Sequence, residues 1–137
     1  IGRLDFKTTG LLLLTSNGDV ARQLSLPKNH IPRTYIATVD NHNERALNLA
    51  RKGVVVDGIK YQPMKIEVID NHNLRITLTE GKKNEIRIVF KYIGMPIVAL
   101  KRIEYGNIKL GNLAPGKILE IDKKTIDLML KKLLESK

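Results

Sequence analysis

Cysteine is absent from this 137-residue chain, so neither a disulfide framework nor a thiolate metal site can form, which fits a reducing compartment and a cytoplasmic location. Histidine is scarce. His30, His42 and His72 all fall in polar stretches, and none has a second His or a carboxylate at zinc-ligand spacing, which argues against a metal enzyme. No apolar run exceeds Leu11 to Leu14, far short of the ~20 residues that span a bilayer, so no membrane association is expected. There is no Walker loop, no Gly-rich dinucleotide fingerprint after a strand and no Gly-x-Ser-x-Gly elbow. The chain opens Ile1-Gly2-Arg3, without a signal-peptide pattern or an initiator Met. It therefore reads as a fragment, a processed chain, or a core whose upstream part is missing.

Acidic residues are also few. Lys and Arg total 24 against 14 Asp and Glu, a formal net charge of +10, which implies a polyanionic partner such as nucleic acid. Charge alone does not separate nucleic acid from an acidic membrane surface. With 42% hydrophobic residues at this length, one folded domain is expected.

The hydrophobic pattern predicts an α+β fold with a mainly antiparallel mixed sheet flanked by helices. Leu11 to Leu14 reads as a short buried strand ending at the turn Ser16-Asn17-Gly18-Asp19, after which Asp19 caps a helix that Pro27 terminates. Residues 32–39 alternate as a strand, and residues 44–52 form a helix. Asp57-Gly58 marks a hairpin, and strands follow over 64–69 and 73–79. Ile86, Val89, Phe90 and Ile93 fall at i, i+3, i+4 and i+7, which predicts a helix with Asn84 as N-cap and Gly94 closing it. A strand over 98–105, a Gly-rich connection, a strand over 118–121 and a helix over 125–136 capped by Asp122 complete the chain.

Chemistry is expected at Asp5, a carboxylate in a polar, Gly-closed loop just before the leucine run. Taken alone, a turn or capping role explains it well. Paired-carboxylate hydrolysis would need a second acid, and the sequence nominates none. Tyr35 lies near a strand start behind a basic loop, and Arg87 lies in a helix first turn beside Gly81-Lys82-Lys83.

These residues sit in four ordered motifs. Gly2-Arg3-Leu4-Asp5-x-x-Thr8-x-Gly10 with its leucine run, Arg33-Thr34-Tyr35, Glu80-Gly81-Lys82-Lys83-Asn84-Glu85-Ile86-Arg87, and Leu100-x-Arg102-x-x-x-Gly106 with Leu110, Leu113 and Gly116 span nearly the whole chain. Together they resemble the bacterial ribosomal pseudouridine synthases of the small-subunit synthase A type. The resemblance implies the catalytic domain of an enzyme, over residues 1–137, that converts a uridine of ribosomal RNA to pseudouridine without a cofactor. It implies Asp5 as the essential carboxylate, Tyr35 as the ring that packs on the base, and Arg87 as the cation that pairs with Asp5. Arg33, Lys82, Lys83 and Arg102 are the implied RNA contacts, while Arg3 is open to RNA contact or to bracing the loop. A monomer is favoured, with the oligomeric state left open.

The sequence departs from the family pattern in three places. Arg33 replaces the commoner Lys, Lys83-Asn84-Glu85 stands where Asn-Arg-Gln is usual, and Ile88 replaces a frequent second Arg. The S4-type RNA-binding domain that family members carry ahead of the Asp motif is not in this sequence. A non-catalytic RNA-binding domain is therefore the alternative reading, and a basic domain whose charges serve only solubility is a third.

Overall fold

The computed structural model describes residues 1 and 4–135. Its centre is a mixed sheet built on β2 (Arg33–Thr38), which lies between two antiparallel neighbours, β6 (Asn73–Leu78) and β7 (Ala99–Tyr105). The edge strand β5 (Lys65–Val68) pairs antiparallel with β6, and β1 (Thr8–Gly10) pairs parallel with β7 on the other side. A two-residue strand, β8 (Ile108–Lys109), folds back on the end of β7. A separate hairpin joins β3 (Val54–Val56) to β4 (Ile59–Tyr61). Its turn residues Asp57 and Gly58 have φ of 50° and 78°, the left-handed pair that a tight two-residue hairpin requires. The α+β class with a mainly antiparallel sheet is thus the observed architecture.

Two helices, α2 (Glu44–Lys52) and α3 (Glu85–Tyr92), contribute to the core on one side of this sheet. The helix pattern places Leu47 and Ala50 of α2, and Ile86, Val89 and Phe90 of α3, on their inward stripes. They pack with Ala37, Leu74, Ile76, Leu78 and Leu100 from the strands. Alternate strand positions are polar and more exposed, and there Arg75 and Glu104 pair at 2.9 Å. A second cluster joins Leu11, Leu13, Ile31 and Tyr105 to α1 (Gly18–Ser25) and α4 (Lys123–Glu135). Among the described residues, no helix is long and apolar enough to cross a membrane.

Three sequence expectations shift. The strand expected at Leu11 to Leu14 lies earlier, at β1, because the ladder with β7 ends where Gly10 meets Arg102. The leucines continue with Leu11 and Leu13 buried and Leu12 and Leu14 exposed, but without a ladder of their own. Asn17 rather than Asp19 caps α1, accepting from the N–H groups of Asp19 and Val20 at 3.0 and 3.2 Å, because the helix starts already at Gly18. The strand expected over 118–121 is absent; Ile118 and Leu119 are exposed and outside both sheets. An apolar stretch becomes a strand only where an unpaired edge meets it.

Candidate active site

The turn before β1, the start of β2, the end of β6, the start of α3 and the end of β7 converge on one cavity of about 570 Å³. This lies within the roughly 300–1,000 Å³ usual for small-molecule and nucleotide sites. Its walls include Asp5, Tyr35 and Arg87, and also Arg33, Lys82, Lys83 and Arg102. Arg3 lies outside the described residues.

Asp5 starts a tight turn in which the Thr8 N–H donates to the Asp5 carbonyl at 2.9 Å, with Phe6 and Lys7 as the central pair. The turn is fastened to the sheet at Gly10, whose φ is +105°. A Cβ there would lie 2.2 Å from the Arg102 carbonyl oxygen, so only glycine permits the crossing. Just beyond, the Leu11 N–H donates to that carbonyl at 2.8 Å, and Arg102 Nε donates back to the Leu11 carbonyl at 2.9 Å. The Asp5 turn is therefore bolted to β7 on its C-terminal side.

Asn84 holds the N-cap position of α3, and its carbonyl accepts from the Ile88 N–H at 2.9 Å, but its side chain does not do the capping. Its backbone is left-handed, φ 54° and ψ 28°. With the amide nitrogen turned toward Asp5, the orientation that satisfies both groups, Asn84 donates to Oδ2 at 2.8 Å and to Oδ1 at 3.2 Å. The left-handed backbone turns the Asn84 side chain away from the helix N–H groups and toward the Asp5 carboxylate.

The expected Asp5–Arg87 pair is not formed. Arg87 Nη2 instead donates to the Lys7 carbonyl at 3.0 Å, and its Nε is buried without a partner among the described residues. No ion pair between Asp5 and Arg87 occurs among the described residues, because Asn84 takes the carboxylate and the guanidinium braces the backbone of the same turn. Arg87 thus sits beside Asp5 and shapes its loop without ion pairing to it.

Tyr35 reaches the cavity from a bulge. In the ladder with β7, Thr34 faces Glu104 while Tyr35 faces Arg102, which leaves Ile103 as the extra residue. Such a bulge twists the strands and re-aims the side chains beside it. Tyr35 is half-buried against the core, with part of its surface at the cavity.

Arg33 and Arg102 are placed by Tyr105, a residue that sequence reasoning missed. Their guanidinium carbons lie 5.1 and 5.0 Å from the ring centroid, and Arg33 Nη2 donates to the phenol oxygen at 3.3 Å. The Tyr105 hydroxyl in turn donates to the Leu24 carbonyl at 3.1 Å. Gly81 leaves room for this arrangement, since a Cβ on it would lie 2.9 Å from Arg33 Nη1. Arg102, expected on the RNA surface, is only 2% exposed. It belongs to the protein interior, with Nη2 alone buried and unpartnered among the described residues. Thr8, which faces Leu100 in the ladder, likewise has a buried Oγ1 at the cavity with no partner among the described residues.

Below the Lys82-Lys83 loop lies a pair of carboxyls. Glu85 is 4% exposed and accepts from the Lys82 N–H at 3.1 Å, and its carboxyl also hydrogen-bonds with that of Glu80. Burial, and then the neighbouring Glu80 carboxyl, push Glu85 up to about 8, so it is protonated at neutral pH. Burial would also raise Glu80, but hydrogen bonds from Lys82 and from the Gln62 N–H outweigh it and hold Glu80 below its usual range. Lys82 is ion-paired to Glu80, and its ammonium lies 5.9 Å from the Tyr61 ring centroid. Lys83 is exposed at the rim.

Phe6, Asn84 and Glu85 carried no recognisable site signal in the sequence. Asn84 was legible only as a cap, and Glu85 only as a departure from the usual Gln.

Comparison with known proteins places this geometry among related chains. Residues 1–92 match the RNA pseudouridylate synthase family. A Rickettsia bellii protein described as an uncharacterized RNA pseudouridine synthase is 41% identical, the match covering 90% of this chain and 56% of that protein. The ribosomal small subunit pseudouridine synthase A of Haemophilus influenzae is 31% identical, over 95% of this chain and 58% of the relative. A solved pseudouridylate synthase structure superposes with a TM-score of 0.87 at 30% identity, over 93% of this chain and 57% of that one. The chain thus spans little more than half the length of the relatives it matches.

Proposed function

Because the chain belongs to the RNA pseudouridylate synthase family, we propose that it is the catalytic domain of an enzyme that isomerises a uridine in ribosomal RNA to pseudouridine. The observation that carries the reading is the convergence of Asp5, Tyr35 and Arg87, from three separate segments, on one nucleotide-sized cavity with basic walls. The reaction breaks the C1′–N1 bond, turns the uracil and joins C1′ to C5; the C5 hydrogen leaves as a proton, and N1 gains one. Uridine and pseudouridine contain the same atoms, so no electrons or groups are exchanged with a co-reactant.

Each residue then has a defined task. Asp5 attacks C1′ or removes a sugar proton, and either route needs its carboxylate fixed against the ribose. Asn84 supplies that fixing at 2.8 and 3.2 Å. Tyr35 offers a face to the uracil while it is detached and rotating. Arg87, Arg33 and Lys83 hold positive charge at the cavity for the phosphates on either side. A target inside a helix must leave its stack to enter, so an unpaired or flipped uridine is the substrate form.

The test is to incubate the parent chain and Asp5→Asn with ribosomal RNA and with intact ribosomal subunits, and to map pseudouridine. The expected result is a modified uridine with the parent and none with the variant. A folded parent chain that modifies nothing contradicts the enzymatic reading, and modification by Asp5→Asn contradicts the assignment of Asp5.

A further inference from the structure

Beside the main cavity lies a second of about 370 Å³, bordered by the Asp5 turn and the outer side of α3. Asp5, Phe6, Asn84 and Arg87 border both, so they form the partition between them. Phe6 is unlike the other large apolar side chains: it is 101% exposed, standing at the centre of the turn that carries Asp5. A phenyl ring held fully in water has no packing role among the described residues. The second cavity adds Lys7 and Lys91 at its edge and Ile88 as an apolar wall. Among the described residues that border it, the only carboxylate is Asp5, which Asn84 already engages.

We propose that this second cavity is a subsite for the nucleotide adjacent to the target uridine, whose base stacks on Phe6 while Lys7 and Lys91 pair with its phosphates. The proposal rests on the RNA-modifying reading above. When the target uridine turns into the main cavity, its neighbour loses a stacking partner. Phe6, on the partition, offers that neighbour a new face. An aromatic platform flanked by cations, with no unengaged anion, is the chemistry that binds a single-stranded nucleotide irrespective of base identity. A protein partner would be expected to meet a broader apolar surface than one ring bordered by two lysines.

The chain contains no tryptophan, so Phe6→Trp places a single indole at this position. In an Asp5→Asn background, which prevents turnover, a short single-stranded oligouridylate carrying a fluorescent end label reports binding by anisotropy while the indole reports stacking. Indole emission is expected to fall in proportion to the bound fraction. Phe6→Ala is expected to weaken binding about tenfold or more, and Phe6→Tyr to preserve it. Binding of the oligouridylate with indole emission unchanged overturns the proposal, as does a Phe6→Ala chain that binds like the parent. Emission that changes with protein concentration alone also overturns it, because a second copy of the chain then covers the ring. A parent chain that does not bind the oligouridylate at low salt removes the RNA reading itself, a separate and recognisable failure.

Discussion

Asn84→Gly separates positioning from folding at this site. Glycine adopts the left-handed backbone of position 84 freely, so the substitution removes the amide and leaves the local conformation in place. A hydrogen bond to a charged group contributes about 1.5–3 kcal/mol. Relief of left-handed strain returns little at Asn, which adopts that region readily, and glycine adds entropy to the unfolded chain, so the variant is expected to unfold at a modestly lower temperature than the parent while staying folded at assay temperature. The reaction suffers more, because Asp5 loses the group that orients it. At about 1.4 kcal/mol per factor of ten, kcat/KM for pseudouridine formation is expected to fall about 10- to 100-fold. Asn84→Ala should lose a similar amount of activity and, keeping the strained backbone, unfold at a lower temperature than Asn84→Gly. Parent-like turnover by a folded Asn84→Gly chain would refute the claim that the amide holds the carboxylate.

The Glu85 carboxyl gives a pH dependence whose sign is fixed. The folded chain retains its proton to about pH 8, whereas an unfolded glutamate releases it near 4.5, so stability falls as pH rises between these values and levels off above them. Glu85→Gln keeps an acceptor for the Lys82 N–H and removes the ionisation; urea unfolding should find its stability less sensitive to pH than the parent's over that range. Gly10→Ala drives a Cβ against the Arg102 backbone and is expected to cost roughly 3 kcal/mol or more in the same measurement. RNA affinity should fall steeply with salt, and each phosphate-contacting cation removed, Lys83→Ala for example, should reduce the log–log slope by about 0.7.

How far the sequence foretold this molecule depended on whether the determining contact was local. Helix α2 was read to both ends because Asn43 caps it through the Ala46 N–H and Gly53 closes it, all within the segment. The Asp57-Gly58 hairpin was legible for the same reason. Strand β1 was not, because its position depends on Gly10 meeting Arg102 across a separation of 92 residues, a contact no local pattern encodes. The site followed the same rule. The positions of Asp5, Tyr35 and Arg87 came from ordered motifs, and all three border one cavity. The wiring between them did not follow. Which group faces the Asp5 carboxylate depends on the left-handed turn at Asn84, and a pattern that reads Asn before a helix as a cap points its side chain at the backbone instead.

The central claim is that the Asp5 cavity converts uridine to pseudouridine. Because that conversion expels the hydrogen on C5, RNA carrying tritium at uracil C5 reports it directly. The parent chain should release tritium to water in proportion to the pseudouridine formed, and Asp5→Asn should release none. A folded parent that leaves the label in the RNA, or an Asp5→Asn chain that frees it at the parent's rate, would contradict the account.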